Sequence, residues 1–147
     1  MKLRIETKSN LETVKLGRVL GEEILKNGSG NFLIALNGDL GSGKTTFIKG
    51  LGRGLGIKNK ITSPTFLMVR RYSILKNKKY KNFYHVDAYR IKTKRDLEVT
   101  GIEAALSGQN NIIAVEWADL IKKHLKNKTL SIYIKHKNEN KRIFLIS

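Results

Sequence analysis

The feature that most constrains the fold of this chain is a glycine-rich octapeptide, Gly38-Asp39-Leu40-Gly41-Ser42-Gly43-Lys44-Thr45. It matches the pattern G-x-x-x-x-G-K-[ST], whose backbone N–H groups and lysine surround phosphate groups. A continuous apolar run at 32–36 precedes it and predicts a strand that is covered on both faces. After it, apolar residues at 47, 48, 51 and 55 recur with helical spacing. Strand, glycine-rich turn and helix, in that order, predict a phosphate-binding loop.

The chemistry of the octapeptide follows from its residue types. Glycines at 38, 41 and 43 allow the backbone to wrap closely, so that successive N–H groups point into one concavity and bind phosphate oxygens. The predicted helix begins near Lys44 and adds the positive end of its dipole. Lys44 is predicted to reach the β and γ phosphates of a nucleotide, and the Thr45 hydroxyl is placed to ligate magnesium.

Two acids are candidates for completing such a site. Glu116 follows the apolar run 112–115, and Asp87 follows the more amphipathic run 83–86. A phosphate loop requires an acid at the carboxyl end of a neighbouring strand, where it holds the magnesium shell and polarises water. Two acids beside one loop can divide these tasks, and the sequence leaves open which of them lies nearer the metal.

Three other features each admit two interpretations. Trp117 is either a core residue or a nucleotide contact, and His85 is expected to be a hydrogen-bonded strand residue, not a base. The segment Ser63-Pro64-Thr65 either senses the γ-phosphate or begins a strand with its proline.

The remaining pattern alternates β and α elements. It predicts strands at 3–5, 111–117, 129–136 and 142–146, helices at 9–27, 93–107 and 118–126, and an antiparallel hairpin formed by 65–74 and 81–86. The helix at 93–107 has a potential break at Gly101. We therefore predict a single domain, residues 1–147, with a three-layer α/β fold on a mixed sheet.

Composition excludes several classes of protein. The chain has no cysteine, which excludes disulfides, zinc ribbons and thiol nucleophiles and predicts a reducing, cytoplasmic location. No apolar run approaches the length that spans a bilayer, so we expect no membrane partner. Lys and Arg number 29 against 12 acids, a formal charge of +17. That excess reflects either AT-rich coding bias or a basic surface for RNA or an acidic partner.

Four motifs together resemble one family. They are residues 38–47, Ser63-Pro64-Thr65-Phe66, His85-Val86-Asp87-Ala88-Tyr89-Arg90 and Glu116-Trp117, and a further similarity lies in Asp96-Leu97-Glu98 followed by Gly101-Ile102-Glu103. In order and spacing they resemble the TsaE (YjeE) family, small bacterial P-loop ATPases of tRNA threonylcarbamoyladenosine biosynthesis. The resemblance covers roughly residues 9–117. The basic stretch after 118 matches only weakly.

The resemblance implies a function and a set of site residues. Residues Gly38, Asp39, Leu40, Gly41, Ser42, Gly43, Lys44, Thr45 and Thr46 would bind ATP, Thr45 and Glu116 would hold Mg²⁺, and Lys44 and Asp87 would be catalytic. Trp117 would lie near the nucleotide. Family members are weak ATPases that act with the transferase TsaD and its partner TsaB, where ATP binding and hydrolysis reset the complex. Contact with tRNA itself would be indirect or weak.

Two alternative functions make different demands on the sequence. A small-molecule kinase with a P-loop requires a lid with basic residues, but only a few such residues follow Asp87 before an acidic helix, which argues against it. A basic RNA-binding protein without catalysis predicts exposed aromatics among the basic clusters. Here the aromatics lie mainly in predicted strands.

Overall fold

A computed structural model describes residues 2–64, 68–126 and 130–147. The strands in these ranges are β1 (Leu3–Thr7), β2 (Phe32–Asn37), β3 (Val69–Ser73), β4 (Asn82–Asp87), β5 (Asn111–Glu116), β6 (Leu130–His136) and β7 (Arg142–Ile146). The α-helices are α1 (Asn10–Asn27), α2 (Lys44–Gly54), α3 (Lys94–Thr100) and α4 (Ile102–Ser107). Two 3₁₀ helices, Ala88–Arg90 and Ala118–His124, follow β4 and β5.

The seven strands form one mixed sheet in the order β1-β7-β6-β2-β5-β4-β3. The four strands β6, β2, β5 and β4 are parallel, whereas β1, β7 and β3 pair antiparallel with their neighbours. The carboxyl ends of the parallel strands therefore lie along one edge of the sheet. The glycine-rich octapeptide follows β2 at that edge, which is where α/β proteins bind ligands.

Helices cover both faces of the sheet. On one face, Phe47 and Leu51 of α2 pack with Ile34 and Leu36 of β2 in a core that also includes Ile24 of α1. On the other face, a second core joins α3, α4 and the 3₁₀ helix at 118–124, through residues Leu97, Ile102 and Ile121, to Leu33 and Ala35 of β2. Alternating β2 residues thus enter opposite cores. The predicted three-layer α/β fold on a mixed sheet is confirmed.

Four glycines hold α1 against α2. A Cβ added to Gly17 of α1 would lie 2.2 Å from the Phe47 carbonyl oxygen, and one added to Gly50 of α2 would lie 2.0 Å from the Val14 carbonyl oxygen. A Cβ on Gly21 or Gly54 would lie 2.5 or 2.1 Å, respectively, from a carbonyl oxygen of the facing helix. Only glycine permits this approach of two helix backbones, and it fixes the position of α2 behind the phosphate loop.

Local predictions agree with the structure except in one helix and in the first arm of the hairpin, where the strand predicted at 65–74 is shorter and covers Val69–Ser73. The hairpin is formed by β3 and β4, and the predicted helix at 93–107 divides at Gly101, whose φ is +69°. The predicted helix at 118–126 is instead a 3₁₀ helix over 118–124 with non-helical dihedrals at Ile121. Its N-cap residue Trp117 is left-handed and provides no side-chain cap, so the helix lacks a good start. Thr65, Phe66 and the first residue of the strand predicted at 129–136 lie outside the described residues.

In the described ranges, every helix is too short or too polar to cross a lipid bilayer.

Candidate functional site

The octapeptide forms a tight loop between β2 and α2. Gly38 has φ +148°, and a Cβ there would lie 2.4 Å from the carbonyl oxygen of Ile134 in β6. Gly43 is the N-cap of α2 with φ +104° and no side-chain cap. Because no side chain occupies the start of α2, its first N–H groups are available to an anion at the positive end of the helix.

Lys44 lies inside this loop. Its ammonium group donates hydrogen bonds to the carbonyl oxygens of Gly38 at 2.6 Å and Asp39 at 2.9 Å, and it lies 3.4 Å from Ser42 Oγ. The residue is only 5% exposed. Burial lowers the pKa of Lys44, while the carboxylate of Glu116 opposes the shift. The loop thus holds a buried cation against two of its own backbone carbonyl groups, in the first turn of α2.

An aromatic ring, Trp117, lies over the lysine and packs against a second ring, Tyr89. The Lys44 ammonium is 4.1 Å from the centroid of the Trp117 ring, and the Trp117 and Tyr89 rings are 5.0 Å apart. Trp117 has φ +57°, a left-handed conformation that is uncommon for a large side chain. It is half-buried and lines the cleft, so the structure places it in the candidate site and also in contact with the second core.

Thr45, Glu116 and His85 form a continuous hydrogen-bonded row. The Thr45 hydroxyl donates to Glu116 Oε1 at 2.9 Å, and His85 Nε2 lies 2.6 Å from Glu116 Oε2. Glu116 is 4% exposed and His85 is fully buried. Both carboxylate oxygens of Glu116 are therefore engaged, and the side chain is fixed towards the start of α2. His85 is a hydrogen-bonded strand residue, as predicted.

Asp87 lies next to Glu116 across the sheet. The two residues are register partners at the ends of β4 and β5, and alternation puts both on the face that carries α2. Asp87 Oδ1 accepts a hydrogen bond from Tyr89 N at 3.0 Å. Burial raises the pKa of Asp87, the Tyr89 N–H opposes the shift, and the neighbouring Glu116 charge adds to it.

The oxygen donors at this point suit magnesium. A hydroxyl from Thr45 and carboxylates from Glu116 and Asp87 are hard ligands, the kind that Mg²⁺ prefers. Magnesium in nucleotide sites uses only one or two protein ligands together with phosphates and water. Within the described ranges, no group of three or more His, Cys, Asp or Glu residues is arranged to hold a metal. Thr45, Glu116 and Asp87 offer oxygen donors of the kind that hold a metal together with phosphates and water.

These groups line a single cleft of about 500 Å³. The predicted site residues that line it are Leu40, Gly41, Ser42, Gly43, Lys44, Thr45, Thr46, Asp87 and Glu116. The carbonyl oxygens of the other two, Gly38 and Asp39, accept hydrogen bonds from the Lys44 ammonium. Ser63 also lines the cleft, whereas its neighbour Thr65 lies outside the described residues.

Sequence reasoning assigned no site role to two charged residues that line the cleft, Arg90 in the 3₁₀ helix after β4 and Arg142. Arg142 begins β7, on the opposite side of β2 from the two acids. Its Nη1 donates to the carbonyl oxygens of Asn138, Glu139 and Lys141, and Nε lies against Gly43, within 3.5 Å of where a Cβ would be. Arg142 is 7% exposed, and its Nε has no partner in the part of the chain that the structure describes. The buried N–H can therefore donate to an anion held by the loop.

This chain is similar to known proteins of the TsaE family. Residues 7–144 match the family described as threonylcarbamoyl adenosine biosynthesis protein TsaE. Proteins named tRNA threonylcarbamoyladenosine biosynthesis protein TsaE include one from Bacillus subtilis, 39% identical over 110 residues, which are 75% of this chain and 65% of the relative. This chain thus covers slightly less than two thirds of the length of that relative. The Rickettsia felis relative is 36% identical over 135 residues, with 90% of this chain and 72% of the relative covered.

A solved structure supports the fold. The crystal structure of Bacillus subtilis YdiB superimposes with a TM-score of 0.73 at 28% sequence identity, covering 99% of this chain and 84% of that chain. The similarity extends beyond the phosphate loop to the whole mixed sheet and its two helical layers.

Proposed function

This chain belongs to the TsaE family, and we propose that residues 1–147 form one P-loop domain that binds ATP with Mg²⁺ and hydrolyses it weakly during biosynthesis of threonylcarbamoyladenosine in tRNA. The observation that carries the proposal is the hydrogen bond from Thr45 to Glu116, beside the buried Lys44 ammonium. It joins the phosphate loop to a strand-end acid, the pairing that a magnesium nucleotide requires.

The loop would bind the phosphates of ATP. Backbone N–H groups at the start of α2 and the Lys44 ammonium would donate to the β and γ phosphates, with residues 38–46 as the predicted contacts. Lys44 donates to two loop carbonyls in this structure and would exchange these hydrogen bonds for bonds to phosphate oxygens. Its charge would stabilise the negative charge that develops during transfer of the γ-phosphoryl group.

Thr45 and Glu116 would hold the metal, Thr45 through its hydroxyl and Glu116 directly or through a bound water. When bound, Mg²⁺ neutralises phosphate charge and orients the phosphate oxygens. His85 donates to the second oxygen of Glu116 and keeps the carboxylate directed at Thr45.

Asp87 would activate the attacking water. In hydrolysis the water oxygen bonds to the γ-phosphorus, the bond to the bridging oxygen breaks, and Asp87 accepts the proton that the water loses. Burial raises the pKa of Asp87, which makes it a stronger base than an exposed aspartate.

The expected partners are TsaD and TsaB, with ATP binding and hydrolysis resetting their complex between turnovers. The cytoplasmic location remains a prediction. Multiple-turnover threonylcarbamoylation of tRNA by purified TsaD and TsaB, with and without this chain, tests the proposal. We expect repeated turnover only with the wild-type chain, ATP and magnesium. Equal turnover without the chain, or with the folded Lys44→Ala variant, would contradict it.

A further inference from the structure

A second concave surface lies near the carboxyl-terminal end of α2, away from the phosphate loop. It has a volume of about 360 Å³ and is lined by four cations, Lys49, Arg53, Lys58 and Lys60, with Asn59 and the apolar residues Ile57 and Ile61. We call the four cations and their concavity the basic pocket. Its lining contains no carboxylate.

The frame of the basic pocket is well fixed. Ile57 and Ile61 are 7% and 5% exposed, so the segment that carries Lys58 and Lys60 is anchored in the core. The Ile57 N–H donates to the Gly52 carbonyl oxygen at 3.0 Å, and a Cβ on Gly52 would lie only 1.8 Å from Ile61 Cδ1. The segment thus packs directly on α2, and its cations are held beside those of the helix.

The four charges are unpaired. All four side chains are exposed, and none forms an ion pair with a carboxylate of the described residues. Lys49 and Arg53 are separated by four positions on α2, where like charges face each other and repel. A bound anion would relieve that repulsion.

A second basic cluster, residues 76–81 at the β3–β4 turn, differs in this respect. Lys79 donates to the carbonyl oxygens of Lys26 and Gly28 and so satisfies the carboxyl-terminal end of α1. Asn77 Oδ1 accepts from the N–H groups of Lys79 and Tyr80, which closes the turn. One cation of that cluster thus has a structural role, and the cluster itself lines none of the cavities described above.

We propose that the basic pocket binds the phosphate backbone of RNA. The planar Arg53 guanidinium can donate two hydrogen bonds to one phosphate, and the three lysines supply point charges for its neighbours. The choice of RNA over an acidic protein rests on the proposed function, whose end product is a modified tRNA.

Binding of labelled tRNA, measured by fluorescence anisotropy over a range of salt concentrations, tests this inference. The test variant carries Lys58→Gln and Lys60→Gln, and the matched control carries Lys76→Gln and Lys78→Gln, the same charge change at the β3–β4 turn. We expect the test variant to lose about tenfold in affinity and to lower the log–log salt slope by about 1–2, with a much smaller change in the control.

Three results would overturn the inference. The first is an equal loss of tRNA affinity in both variants. The second is no tRNA binding by the wild-type protein near physiological salt. The third is that polyglutamate displaces the labelled tRNA at the same charge concentration as unlabelled RNA does. The last would point to an acidic protein surface. Nucleotide binding should be unchanged in both variants, so a failure of the RNA site is distinguishable from a failure of the ATP site.

Discussion

The Thr45 hydroxyl donates a 2.9 Å hydrogen bond to Glu116 Oε1, although 71 positions separate the two residues in the chain. Thr45 lies in the first turn of α2, and Glu116 ends β5, the strand beside β2. Alternation along β5 directs Glu116 to the face that carries α2, in line with Ile112 and Ala114. The strand order therefore brings Thr45 and Glu116 into contact, and the proposed magnesium site depends on this contact.

Glu116→Gln should weaken magnesium-dependent ATP binding by about 10–100-fold, because it removes the charge that supports the metal while keeping the shape of the side chain. Trp117 is the only tryptophan of the chain, and it contacts the Lys44 ammonium, so its fluorescence reports on binding. In a titration with ATP, the affinities measured with and without magnesium should differ less for this variant than for the wild type. An unchanged magnesium dependence would remove Glu116 from the proposed metal site.

Asp87→Asn should leave ATP binding largely intact and reduce turnover by about 10²–10⁴-fold, because asparagine cannot accept the proton of the attacking water. Asparagine can still accept the hydrogen bond from Tyr89 N, so the local turn is preserved. Phosphate release is measured in the assembled complex. If this variant instead lost its magnesium dependence while Glu116→Gln kept it, the roles of the two acids would be reversed.

The same substitution should change the pH dependence of stability. Burial raises the pKa of Asp87 in the folded protein, so folding favours its protonated form. The stabilisation from that form is complete below the unfolded-state pKa and is lost as pH rises through the folded-state pKa. As pH rises from acidic to neutral, the free energy of unfolding of the wild type should therefore fall relative to that of Asp87→Asn. Urea unfolding of both proteins without nucleotide or magnesium measures this, and parallel curves would contradict it.

Arg142→Lys should lower ATP affinity by about tenfold, because lysine cannot reproduce the buried Nε–H donor that lies against Gly43. The ratio of affinities with and without magnesium should stay unchanged, since Arg142 and the two acids lie on opposite sides of β2. Calorimetric titration measures both quantities. Wild-type affinity in a folded variant would show that the Nε–H makes no contact with the nucleotide.

The elements that the sequence predicts well are those with local signals. The apolar run of β2, the glycines of the loop and the helical spacing after it are contiguous in the chain. Gly101 divides the predicted helix at 93–107 at a position that requires a left-handed residue. The prediction of a helix at 118–126 was wrong in its type and its end, because the helix begins after Trp117, whose left-handed dihedrals are visible only in the structure.

The contacts that sequence reasoning could not provide depend on strand order. Pairing of β4 with β5 places Asp87 next to Glu116 and brings His85 within 2.6 Å of it. Arg142 reaches the loop because β7 follows β6 on the other side of β2. A lone arginine at the start of a short strand gives no local signal of such a position, and only its strong burial singles it out.

The central claim is that the loop around Lys44 binds the phosphates of ATP, and calorimetric titration of ATP with magnesium into wild type and Lys44→Ala tests it most directly. Lys49→Ala, an exposed change on the same helix, is the control, and circular dichroism verifies folding. Loss of a charged hydrogen-bond donor should weaken binding by about 10–100-fold or abolish it, with no change in the control. Wild-type affinity in a folded Lys44→Ala protein would contradict the account.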